Sequence, residues 1–88
     1  MVELARSPEQ LGNTIRRARK ARGMSQSELG KKAGLHQRTI SVIETGNPAA
    51  RLETILAVLA VLNLELQIAP RSGLFGALLK GLENHGED

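Results

Sequence analysis

The sequence predicts a mainly α fold: four short helices, one β-strand that pairs across a homodimer, and a short C-terminal tail. Three observations predict it. Apolar residues recur every three or four positions within segments punctuated by Ser, Gly, Asn and Pro, which is the spacing of one helix face. Phe75 is the only aromatic residue, so the core is aliphatic and lacks the rings that usually fill a β-sandwich or stack on unpaired bases. After Asn63 the apolar period shortens to two, the pattern of a half-buried strand.

With 88 residues, the chain has room for about one small domain. A chain of this size buries only roughly 60 to 65% of its unfolded surface, so a second copy is expected to complete it. Cysteine is absent, which excludes disulfides, thiolate zinc sites and thiol chemistry. The longest apolar run, Ile55 to Leu62, is 8 residues, well short of the ~18 to 20 that a membrane span needs. Glu3, Arg6 and Pro8 interrupt any leader-like run, and a cytoplasmic protein is expected.

The first helix opens at Ser7, a capping residue followed by Pro8 at the first helical position, with Gln10 spaced to complete a capping box. Leu11, Ile15 and Ala18 share one face of it, and Arg16, Arg17 and Lys20 lie elsewhere. Gly23 supplies the stop. Ser25 and Glu28 form a second capping box and open a short helix whose Leu29 and Ala33 belong to the core, with Gly34 ending it. A third helix runs from about His36 or Gln37 to Glu44. Its Ile40 and Ile43 fall on one side, and Gln37, Arg38, Ser41 and Val42 on the other. Gly46, Asn47 and Pro48 break the chain before a fourth helix, roughly Arg51 to Leu62. Leu52, Ile55, Leu56, Leu59 and Leu62 make its apolar stripe too wide for one core face, so part of it is expected against a second subunit. In the following strand, Leu64, Leu66 and Ile68 alternate with Glu65, Gln67 and Ala69 up to Pro70. No second strand is predicted for it to pair with, so its partner is the same strand of a symmetry mate. Leu74, Phe75, Leu78, Leu79 and Leu82 recur at helical spacing in the tail. The expected organisation is thus a helical domain over 1–62, a dimerisation strand over 63–70 and a tail over 71–88.

The net charge of +3 is unevenly distributed. From Arg6 to Arg38 nine basic residues stand against two acidic ones, giving +7, and from Thr39 onward three basic residues face six acidic ones, giving −3. A basic half followed by an acidic half suits a phosphate-facing module attached to a segment with another task. Helix, tight turn at Gly34, then a helix exposing short polar side chains is a helix-turn-helix arrangement, whose second helix enters the major groove of duplex DNA. Gln makes paired hydrogen bonds to adenine, Arg to guanine, and Ser bonds either a base or a phosphate. Gln26 sits at a helix start, where exposed amides and the helix dipole favour a phosphate.

The stretch Met24 to Gly46, MSQSELGKKAGLHQRTISVIETG, resembles the helix-turn-helix of the phage repressor/Cro (XRE) family. It carries the family's Ser/Thr-Gln-x-Glu-Leu opening, central Gly-Leu and Thr-Ile-Ser-x-Ile-Glu-x-Gly ending, and the likeness covers about 9 to 62. Gly30 departs from the family's usual Ala, permitting closer helix packing or loosening the second helix. The resemblance implies a structural ion pair between Arg19 and Glu44. Length, the strand after the fourth helix and the small polar tail resemble, more narrowly, the HipB-type antitoxins. That resemblance implies base contact by His36, Gln37, Arg38 and Ser41, and dimerisation through Leu64, Leu66 and Ile68; beside it, phosphate contact is expected of Ser25, Gln26 and Thr39, with Thr39 divided between that contact and packing beside Ile43. It also implies two partners: double-stranded operator DNA, and a HipA-like serine/threonine kinase toxin whose operon the protein autoregulates. The alternatives are a stand-alone phage-type repressor or a restriction-modification controller protein, each without a toxin partner. A controller would be expected to continue with a fifth helix where this chain alternates. His36 and His85 are the only histidines, and no phosphate-binding Gly-rich loop or metal-ligand spacing occurs. Neither an enzyme nor a cofactor nor a metal is expected.

Overall fold

A computed structural model describes residues 2–71. The helical spacing expected from Leu74 to Leu82 therefore lies outside the described residues. Four helices follow in order: α1 (Pro8–Ala21), α2 (Gln26–Ala33), α3 (Gln37–Glu44) and α4 (Leu52–Val61).

Each boundary has a local cause. Ser7 caps α1 by accepting from the Gln10 amide at 3.1 Å. The Gln10 side chain reaches one residue further back than expected, accepting from the Arg6 amide at 2.5 Å. The capping box of α2 closes reciprocally: Ser25 Oγ accepts from the Glu28 amide at 3.0 Å, and the Ser25 amide donates to Glu28 Oε1 at 2.8 Å. These bonds hold the Glu28 carboxyl below the usual carboxylate range, the Ser25 amide being the chief cause. Gly34 ends α2 at φ 73, in the left-handed region that favours glycine. His36 stands at the start of α3 without a side-chain cap bond.

Ile15, Leu29, Ile40, Ile43, Val58, Leu59 and Leu62 form the buried core, with all four helices contributing. Burying each of these side chains is worth about 1.5 to 3 kcal/mol. The α4 stripe divides. Leu59 and Leu62 join the core as expected and Ile55 packs at its edge, but Leu52 and Leu56 remain 62% and 43% exposed, and Val58 takes a fully buried place instead.

Two glycines set how closely the helices approach. A Cβ on Gly12 would lie 2.5 Å from the Ile43 carbonyl oxygen, so α1 can lie against the end of α3 only without a side chain there. A Cβ on Gly30 would lie 2.7 Å from the Leu35 carbonyl oxygen. Of the two readings of Gly30, close packing is the one observed: α2 is in contact with the turn that leads into α3, and the Leu35 amide donates to the Gly30 carbonyl at 2.7 Å.

The strand expected over Leu64 to Ile68 does not form within the chain, and among the described residues no strand occurs. A strand needs a neighbour for its backbone donors and acceptors, and the described residues supply none. Leu64, Leu66 and Ile68 are 36%, 51% and 97% exposed. The N-terminal arm, Val2 to Arg6, borders the same groove as residues 63–67 and 69–71, and Arg6 Nη2 donates to the Arg71 carbonyl at 3.4 Å.

Candidate nucleic-acid interface

The α2–turn–α3 unit rests on a buried polar relay. Arg19 Nε donates to Glu44 Oε2 at 2.6 Å, and Arg19 Nη2 to Glu44 Oε1 at 3.0 Å. A third guanidinium bond, Nη1 to the Met24 carbonyl at 2.8 Å, reaches the loop before α2. Both side chains are nearly buried, and none of the buried side-chain polar atoms among the described residues lacks a partner. The hydrogen bond to Glu44 raises the Arg19 pKa against the opposing effect of burial. A raised basic pKa contributes stability that is fully present below its unfolded value and lost only as pH rises through the folded one. Arginine titrates far into the alkaline range, so the Arg19 guanidinium keeps its charge at all ordinary pH.

The relay continues to the surface. Gln26 Nε2 donates to Glu44 Oε1 at 3.1 Å, and Gln37 Nε2 lies 3.5 Å from Gln26 Oε1. Arg19 of α1 thus positions Glu44 at the end of α3, Glu44 positions Gln26 at the start of α2, and Gln26 faces Gln37 at the start of α3. Gln26 retains one amide proton for a group outside the protein.

Around this frame His36, Gln37 and Arg38 are exposed, while Thr39 and Ser41 are half-buried. Ser25 is exposed, but its oxygen already accepts the cap bond, leaving the hydroxyl proton to donate. The ion pair expected between Arg19 and Glu44 is present. Its extension through Gln26 to Gln37 was missed, because nothing in residue spacing shows that α2 and α3 start side by side. Also missed was Gly12, whose signal, a glycine among the apolar positions of a helix, is weak by itself. The basic cluster Arg16, Arg17 and Lys20 borders a surface groove on α1 with Asn13 and Thr14. Arg17 is not free there: it forms an exposed ion pair with Glu3 of the N-terminal arm.

No grouping of His, Asp and Glu among the described residues could hold a metal ion. No helix among them is long and apolar enough to cross a membrane.

A helix-turn-helix family (HTH_3) matches residues 15–68. Antitoxin HipB of Escherichia coli strain K12 is 39% identical over 62 residues, covering 70% of each chain. The HTH-type transcriptional regulator y4dL of Sinorhizobium fredii is 38% identical over 68 residues, which are 77% of this chain but 35% of that protein's length. Among solved structures, a HipB–O4 20mer complex is similar with a TM-score of 0.74 and 34% identity, over 80% of this chain and 99% of that one. A HipA–HipB–O2–O3 complex is similar to the same degree, with a TM-score of 0.74, 34% identity and the same coverage of 80% and 99%. The chain belongs to the helix-turn-helix family.

Proposed function

We propose that this helix-turn-helix protein is a homodimeric transcriptional repressor and antitoxin, which binds a palindromic operator and has a HipA-like serine/threonine kinase toxin as its second partner. The observation that carries the reading is the outer face of α3. Gln37, Arg38 and Ser41 stand away from the core side of the helix, on a frame held by the buried Arg19–Glu44 pair. The likeness to antitoxin HipB supports the narrower assignment, and that to a HipA–HipB complex supports the kinase partner.

In this reading residues 1–62 bind DNA, 63–70 dimerise and 71–88 form a tail. Each α3 enters a major groove, and two-fold symmetry sets the half-sites about 34 Å apart or a multiple of it. Gln37 donates to and accepts from an adenine edge, Arg38 donates twice to a guanine, and His36 and Ser41 bond adjacent base edges. Ser25, Gln26 and Thr39 donate to phosphates and fix the register. Leu64, Leu66 and Ile68 pair with their symmetry mates. That ribbon supplies the backbone partners the segment lacks among the described residues, and covers apolar surface together with Leu52 and Leu56. The dimer represses the operon that encodes it and the kinase.

The test combines duplex binding with a kinase assay on the full chain. Arg38→Ala is expected to weaken operator binding by about 1 to 3 kcal/mol and to relax one base position. Equal losses on operator and random duplexes would remove Arg38 from base reading. The kinase encoded beside the gene is expected to co-purify with the chain and lose activity. A chain that binds its operator and leaves that kinase active is a stand-alone repressor.

A further inference from the structure

We propose that Val42 reads a thymine, its side chain meeting the 5-methyl group of one thymine in each operator half-site. The proposal rests on the DNA-reading function above and adds one determinant to it. The buried residues of α3 are Ile40, Ile43 and Glu44. At about 100° per residue, the side of the helix opposite them is centred between Arg38 and Val42. A valine there has no core to serve and is half-buried rather than buried. It borders a shallow, mainly apolar groove with His36, Arg38, Thr39, Ala50 and Arg51.

The rim and the floor of this groove suit different parts of one partner. Arg38 and Arg51 are exposed cations, Arg51 in an exposed ion pair with Glu53 at 3.9 Å, and no carboxylate lines the groove itself, so Arg38 is the rim cation that complements a polyanion. The floor presents methyl groups. In the major groove of unmodified duplex DNA the apolar group on a base edge is the thymine methyl, and apolar side chains recognise it. Valine presents its two methyl groups on a χ1 with one strongly preferred rotamer in a helix, so little side-chain freedom remains to be lost on contact. Val42 lies one helical turn after Arg38, on the same face. The thymine is therefore expected next to, or within about two base pairs of, the base that Arg38 reads.

The experiment selects binding sites from a randomised duplex pool with the full chain, then replaces each consensus thymine singly with deoxyuridine, which removes only the methyl. One thymine per half-site is expected to lose about fourfold in affinity on this change, the effect of one methylene-sized group withdrawn from apolar contact. Val42→Ala, its fold checked by thermal melting, is expected to bind the thymine and deoxyuridine duplexes equally. In a second selection Val42→Asn is expected to move the preference at that position away from thymine. Consensus thymines that are all insensitive to deoxyuridine overturn this proposal alone, as does an unchanged methyl effect in Val42→Ala or an unchanged preference in Val42→Asn. A pool that yields no consensus overturns sequence-specific reading itself and the proposal with it.

Discussion

The two halves of the described chain treat their apolar and polar groups differently. From Arg6 to Arg51 no large hydrophobic side chain is exposed, and the buried charges of Arg19 and Glu44 are paired. From Leu52 onward the chain leaves Leu52, Leu56, Leu64, Leu66 and Ile68 exposed. The first half is complete in one copy. The second half leaves that apolar surface uncovered, with a segment of strand-like pattern that has no strand partner among the described residues. A buried charge has to be paired within its own copy, whereas exposed apolar surface is the kind that a partner can cover.

The comparison breaks most readily at Glu44. Glu44→Ala leaves the Arg19 guanidinium buried with no carboxylate, a change that typically costs about 3 to 5 kcal/mol. Thermal unfolding is expected to show a loss of that order, and DNA binding should fall with it because Gln26 and Gln37 lose their support. A variant that melts like the parent would show that the first half does not depend on its relay. The second half is tested by Leu66→Pro, which removes one backbone donor and disrupts a ribbon twice, once from each copy. Dimerisation followed by light scattering or sedimentation is expected to weaken at least about tenfold, or ~1.4 kcal/mol, with the helical signal unchanged. An undiminished dimer would refute the ribbon. The smallest effect is at the capping box. Ser25→Ala is expected to lower stability by about 1 kcal/mol at neutral pH. Glu28 has a lowered folded pKa, so its contribution is present above the unfolded value and lost as pH falls through the folded one. In acid titrations followed by melting, Glu28→Gln should therefore lower stability at neutral pH, converge with the parent in acid and so flatten the acid limb.

Local chemistry was legible wherever cause and effect lie within a few residues of each other. Ser7 and Ser25 as caps, Gly34 as a stop, and the core places of Ile15, Leu29, Ile40 and Ile43 all follow from spacing along one helix. Where a residue's role depends on another element, spacing was silent or misleading. The width of the α4 stripe said that part of it lies outside this core but not which part: Leu52 and Leu56 are the exposed residues, and Val58, outside the expected stripe, is buried. The period-two pattern of Leu64 to Ile68 describes side chains, while a strand is made by backbone bonds to a neighbour that the described residues do not contain. Val42 stood on the polar side of α3 in the sequence as an exception. The groove beside Arg38 and Arg51 turns it into a candidate reader.

By itself the sequence determined that this is a small, cysteine-free, helical protein with a basic helix-turn-helix half, because helix signals, turn glycines and charge are properties of neighbouring residues. The tertiary structure alone decided that Arg19, Glu44, Gln26 and Gln37 form one relay and that Gly12 and Gly30 are points of closest approach. Those facts depend on the distances between elements, and a side chain's reach or a missing Cβ acquires meaning only once two helices have been brought together.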